Sequence, residues 1–286
     1  MATLMAIHAH PDDESSKGAA TVARYADAGV RCLLITATGG EAGDILNPAM
    51  DNDEVRDNLA EIRRKELEEA ARIIGYDDVF MLGYRDSGMV DSPDNANPAA
   101  FVNADYDEVL EKVVTLVRTH RPDVFLGYDA HEFYPHPDHL RIHAITTDIM
   151  AAAADAKWFP DAGEPWKIRR LVASLFSRRG MLAIHEVLLE RDGESPFTEW
   201  IDRIRGEDVP DVRTLAVEVS ATMQRARDAL RAHATQVDPD GFWFQVPIKL
   251  AKEVYPYEDF QILLSNPPMT DGVGDLFAGL TGGTSG

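Results

Sequence analysis

The chain has 286 residues, 45% of them hydrophobic, enough to bury a core as one large α/β domain or as one domain with an appended subdomain. Its 49 acidic residues outnumber 28 basic ones, and the formal net charge of −21 argues against a nucleic-acid partner, which needs a basic face. No run approaches the roughly 18 apolar residues of a membrane span, and the first residues lack the charged start and cleavage site of a signal peptide, so a cytoplasmic protein is expected.

In chain order, "TLMAIH" (3–8) predicts a short buried strand, and "SKGAATVARYADAG" (16–29) has helical spacing with Gly29 as its stop. "VRCLLITATGG" (30–40) is a second strand; the single cysteine, Cys32, lies inside it and reads as a small core residue. A long amphipathic helix follows over 55–76, then the strand "DVFMLGY" (78–84), a helix over 105–122 and the strand "DVFLGYD" (123–129). This alternation predicts βαβ units: a Rossmann-like, mainly parallel sheet flanked by helices, with polar segments leaving the strands at one edge.

Beyond about residue 157 the pattern loosens. One strand is expected in "AGEPWKIRRLVASLFS" and helices in "SPFTEWIDRIRG" and "TMQRARDALRAHATQ", while "GFWFQVP" either caps the crevice or packs inside, with most of Phe242, Trp243 and Phe244 expected in the core. The domain expectation is a metal-binding catalytic core over 1–156. An α+β portion over 157–277 completes the same domain and the substrate wall, and 278–286 form a disordered tail.

Two clusters carry the chemistry. "AHPDDE" (9–14) follows the first strand, and "YPHPDH" (134–139) opens a helix. A zinc site for hydrolysis needs about three His or carboxylate ligands and one open position; His10, Asp13 and His139 supply them from two segments that the sheet brings together. Asp12 is then the general base, and His136 and Tyr134 can protonate a leaving amine and steady an oxyanion. Other readings stand beside these. Either aspartate, Ser15 or Ser16 could cap a helix, and Glu14 could cap or orient a ligating histidine. His143, at i,i+4 from His139, is a rival ligand, and His8 reads as a packed histidine. "TGGEAGD" lacks a dinucleotide fingerprint and presents amides and Glu41, Asp86 in "YRDSGM" is either a turn residue or a hydroxyl binder, and Arg63 with Glu66 stands out on a charged helix.

"AHPDDE" paired with a distant "HPDH" resembles the LmbE-like zinc deacetylases and amidases. With "HAHPDDESSKGAAT", "TGGEAGDILNPAM", "EIRRKEL", "FPDAGEPW" and "ALRAHATQVDP", residues 4–245 are similar to the branch of that family acting on mycothiol S-conjugates. The resemblance implies a Rossmann-like fold and one zinc on His10, Asp13 and His139, with iron(II) as the metal such a donor set also accepts. It implies Asp12 as base, His136 as acid and Tyr134 at the oxyanion. Arg63 and Asp86 would hold the inositol and glucosamine hydroxyls, and Lys17 the acyl side. The expected substrate is a small-molecule thiol conjugate, a mycothiol S-conjugate cleaved to a mercapturic acid and glucosaminyl-inositol. Deacetylation of N-acetyl-glucosaminyl-inositol and trimming of mycothiol adducts in specialised metabolism are the alternatives, and a homo-oligomer is left open. One departure is visible: His131, Glu132 and Phe133 replace a small, glycine-containing turn.

Overall fold

The computed structural model describes residues 1–130, 134–204 and 214–280. The substituted turn at 131–133 and residues 281–286 of the expected tail therefore lie outside the described residues. The first half runs β1 (Thr3–His8), α1 (Asp13–Ser16), α2 (Ala19–Asp27), β2 (Arg31–Thr38), α3 (Asp53–Asp57), α4 (Leu59–Ile74), β3 (Asp78–Tyr84), α5 (Tyr106–His120), β4 (Val124–Tyr128) and α6 (Pro137–Ala154). The second half runs β5 (Arg170–Leu175), α7 (Arg178–Asp192), α8 (Thr198–Ile204), β6 (Thr214–Glu218), α9 (Met223–Ala232), α10 (Phe242–Gln245), α11 (Ile248–Val254), β7 (Tyr257–Ser265) and β8 (Gly272–Val273).

The strands form one sheet in the order β3-β2-β1-β4-β5-β7-β6-β8. β1 pairs in parallel with both β2 and β4, β3 and β5 extend the parallel part, and β7 runs antiparallel to β5 and β6. The chain first builds outward from β1 to β2 and β3, then returns to build β4 and β5 on the other side. That reversal opens a crevice at the carboxyl ends of β1 and β4, where open α/β sheets hold ligands.

β1 is buried on both faces, and its alternation divides the core. Leu4 and Ala6 face the α2 side with Val22, Leu126, Val217 and Phe260, whereas Met5 and Ile7 face α5 and α6 with Val113, Val117, Ile142 and Ile145. Cys32 is buried as expected.

Several expectations need correction. The helix expected over 16–29 breaks at Gly18, whose φ of +91° is left-handed and whose missing Cβ leaves Leu126 and Phe260 room to approach. The 55–76 helix is interrupted at Asn58, between α3 and α4. Helix α7 and strands β6, β7 and β8 went unforeseen. The aromatics at 242–244 are only partly core: α10 is a single turn, Phe242 packs half-buried against the cluster of Met181, Leu188 and Val246, Phe244 is half-buried and Trp243 is 43% exposed. Leu280, inside the expected tail, is buried, and its carbonyl accepts from Arg169 Nη1. The "FPDAGEPW" stretch has a structural job, since the buried Arg118 donates to the carbonyls of Phe159 and Gly163, and Trp166 Nε1 to that of Pro122.

Candidate active site

After β1 the backbone leaves the sheet through Ala9–His10–Pro11–Asp12. Ala9 is held from two sides: its carbonyl accepts from Thr38 N and Oγ1, and its N–H donates to Tyr128 Oη at 3.2 Å. His8 is fully buried with Nδ1 3.2 Å from the same hydroxyl, a packed histidine. Asp12 has φ 118°, a left-handed conformation that costs a non-glycine residue about 1–3 kcal/mol and persists only where its surroundings enforce it. Its N–H donates to Glu14 Oε2 at 3.0 Å, and its carboxylate accepts from Arg63 Nη2 at 3.0 Å. Asp12 occupies the cap position of α1 but makes no side-chain cap bond, so the capping alternative fails for it.

The second segment starts α6. His136 is its N-cap, with Nδ1 accepting from Asp138 N at 3.2 Å, so that a neutral ring carries its proton on Nε2. His139 follows in the first helical turn. His143 turns away, its Nδ1 3.0 Å from the Tyr128 carbonyl, and is therefore no rival for the cluster.

These segments bring His10, Asp13 and His139 together, all buried, with donor atoms within 4.8 Å of one another. Asp13 Oδ2 lies 3.4 Å from His10 Nδ1 and 3.3 Å from His139 Nε2. Tetrahedral zinc with bonds of about 2.0–2.2 Å sets its ligand atoms roughly 3.3–3.5 Å apart, so the donors present fit such an ion. The other nitrogen of His10 donates to Asp138 Oδ2 at 3.1 Å, the carboxylate–histidine pairing that commonly fixes a ligand's tautomer. Asp138 also accepts from Ser87 N at 3.0 Å. It went unnoticed in the sequence although it lies inside "HPDH". A second group, His10, Asp86, His136 and Asp138, adjoins the first. Asp86 Oδ1 is 3.5 Å from His10 Nε2 and 3.9 Å from His136 Nε2, and its backbone N–H donates to Glu41 Oε2.

Environment sets neighbouring groups apart. Burial and the charge of Asp13 raise the pKa of Asp12 despite Arg63, which suits a carboxylate that must take a proton. Burial also works against a charge on Asp13, yet Lys17, His139 and His10 hold its carboxyl well below the usual range. Burial pushes His139 down to about 3, leaving the neutral imidazole that metals bind. His10 is desolvated too, but Asp13, Asp138 and Asp86 outweigh that and raise it. Burial, and then the charge of His10, lower His136.

The remaining expected residues are near the cluster in different ways. Tyr134 is 49% exposed at the rim, its ring centroid 5.1 Å from that of His139. The Lys17 ammonium is bound to Asp13 and lies 5.6 Å from the centroid of the Tyr128 ring, so it is not a solvated lysine. Arg63 is buried and donates to the carbonyls of Gly40 and Pro11 as well as to the Asp12 carboxylate, which it braces. Asp86 is similarly buried, accepting from Gly88 N and Ala42 N. Glu14 is no cap for a neighbouring helix; it meets His233 Nε2 at 2.7 Å, and Glu66 accepts from Thr235 N and Oγ1. A cavity of about 160 Å³ adjoins α1, lined by Ser15, Ser16, Met223, Leu230, Trp243 and Ile248 among others.

A family model described as PIG-L, GlcNAc-PI de-N-acetylase, matches residues 5–150. Over its length the chain is 42% identical to a mycothiol S-conjugate amidase of Streptomyces coelicolor, covering 97% of both chains. It is 37% identical to a 1D-myo-inositol 2-acetamido-2-deoxy-alpha-D-glucopyranoside deacetylase of Geodermatophilus obscurus, covering 98% of both. Among solved structures, the N,N'-diacetylchitobiose deacetylase of Pyrococcus horikoshii superposes with a TM-score of 0.63 at 19% identity, covering 94% of this chain and 86% of that one.

Proposed function

Since the chain belongs to the PIG-L family, whose members here are deacetylases and amidases acting on amides, we propose that it hydrolyses the amide of mycothiol S-conjugates. The products are an N-acetylcysteine S-conjugate and glucosaminyl-inositol. The observation that carries the chemistry is the His10–Asp13–His139 donor triangle with the half-buried Asp12, in its left-handed backbone conformation, beside it. His10, Asp13 and His139 would hold zinc, or iron(II), which when bound supplies Lewis acidity to the attacking water and the amide carbonyl.

Asp12 takes a proton from water as the water oxygen bonds to the carbonyl carbon. Tyr134, at the rim, donates to the oxygen that becomes negative. His136, in its protonated form, delivers a proton to the amine nitrogen as the carbon–nitrogen bond breaks, and the proton that Asp12 took from the water restores it. Asp138 and Ser87 keep His10 oriented throughout. Two observations favour the conjugate over the acetylated sugar: the higher identity to the amidase, and the partly apolar cavity beside α1, whose Met223, Leu230 and Trp243 suit an apolar group on the substrate's sulfur.

Deacetylation of N-acetyl-glucosaminyl-inositol is the second reading, supported by the several relatives carrying that name. The test is a mass-spectrometric competition in which zinc-loaded protein meets the bimane conjugate of mycothiol and N-acetyl-glucosaminyl-inositol together, with a chelator-treated control. Rapid, chelator-sensitive release of the mercapturic acid with slow deacetylation supports the amidase; preferential loss of acetate reverses the order.

A further inference from the structure

Glu14 and His233 lie 219 positions apart and meet with both side chains fully buried. His233 is the residue at the carboxyl cap of α9, in the "ALRAHATQVDP" stretch. Its Nε2 is 2.7 Å from Glu14 Oε1, while its buried Nδ1 has no hydrogen-bond partner among the described residues. The polar work of this ring is thus directed at one carboxylate.

The other oxygen of that carboxylate accepts the N–H of Asp12 at 3.0 Å. Asp12 is the residue whose left-handed backbone needs external enforcement, and its side chain provides no cap bond of its own. Ser15 Oγ also donates to Glu14 Oε1, but a fully buried carboxylate that loses its ring partner is under-satisfied and shifts toward the donors that remain. Such a shift would loosen the hold on the Asp12 N–H. The segment is anchored a second time by Thr235 on Glu66, which seats His233 without passing through Glu14.

We infer that His233 is a positioning residue that acts through Glu14 to hold the backbone of Asp12, and hence its carboxylate, in the geometry required of the base. The inference rests on the reading of Asp12 as general base. It gives the C-terminal portion a part in catalysis that is distinct from forming a substrate wall.

The test compares His233→Ala, His233→Gln and His233→Asn in the full-length, zinc-loaded protein, with turnover of both candidate substrates, metal content and Tm measured for each. The glutamine amide nitrogen falls where Nε2 stood and the asparagine nitrogen where Nδ1 stood, so only glutamine restores a donor to Glu14. Because misplacing a catalytic group by about 1 Å can cost on the order of 100-fold, His233→Ala should lower kcat by about 10- to 100-fold with KM and zinc content retained. His233→Gln should recover most of the loss and His233→Asn little of it. Unchanged kcat in His233→Ala overturns the inference, as does an equal loss in all three variants that tracks Tm, which would make the ring a packing element. Asp12→Ala separates the two levels: turnover surviving in that variant removes the base assignment itself, whereas a dead Asp12→Ala beside a fully active His233→Ala removes only the role of His233.

Discussion

Asp12 and Asp13 are adjacent, chemically identical and pulled in opposite directions. Asp13 is surrounded by Lys17, His139 and His10 and stays charged, while burial raises Asp12 toward the range of a working base. Their substitutions should therefore separate. Asp12→Ala should lower kcat by at least about 100-fold, in keeping with general-base contributions, and leave bound zinc close to that of the unaltered protein. Asp13→Ala should lose both, because it removes an edge of the donor triangle. Zinc analysis of the purified variants beside their turnover decides this, and metal lost in both would mean that base and ligand had been confused. The juxtaposition of these residues was legible in the sequence because "AHPDDE" and "HPDH" each gather His and Asp into one short turn. Asp138 and His233 were not read out: the first is defined by contact with His10, the second by contact with Glu14, and neither pairing has a spacing that local sequence can express.

At the scale of elements, helix α2 shows how the later chain supports the earlier one. Its cap position is Gly18, which has no side chain to offer, and the N–H groups of Ala20 and Thr21 are instead met by Glu258 of β7 at 3.1 and 2.8 Å. Burial raises the Glu258 pKa above the ordinary 4.5 even though these N–H groups oppose it. A carboxyl raised on folding contributes stability that is present below the unfolded value and lost as pH rises through the folded one. The Tm of the native protein minus that of Glu258→Gln should accordingly fall between pH 4.5 and 7 in thermal melts; a widening gap would place the group below its ordinary value. Strands β1 to β4 were readable because each is an apolar run bounded by turns. β7, "YEDFQILLS", was missed because it mixes charged with apolar residues and only half-buries, and its place between β5 and β6 depends on pairing. The one-turn α10 erred in the other direction, since three aromatics in four positions look like core but cannot all face inward from a single turn. Trp243 instead lines the cavity beside α1. Trp243→Ala should raise KM for the bimane conjugate several-fold while sparing deacetylation of N-acetyl-glucosaminyl-inositol; equal effects on both substrates would separate the cavity from the sulfur substituent.

Across the whole molecule, the His and Asp clusters from the first 139 residues sit on a sheet that the remainder completes. β5 has β4 on one side and β7 on the other, and Leu215, Val217, Phe260 and Leu276 share one buried cluster with Leu4 and Ala6 of β1. Removing everything after residue 156 would expose Leu126 and the α2 face of β1, strip Glu258 from α2 and leave Glu14 without His233. Each buried aliphatic side chain returned to water costs roughly 1.5–3 kcal/mol, so a handful of these residues already matches the 5–15 kcal/mol by which a typical native state is favoured. A 1–156 fragment should therefore fail to fold, although it contains all of His10, Asp12, Asp13, His136 and His139. The full chain should melt in one cooperative step by calorimetry and by circular dichroism. Two separated transitions, or a fragment that shows native dispersion and retains zinc, would mean that the N-terminal half is an autonomous metal-binding domain and that the C-terminal strands merely extend its edge.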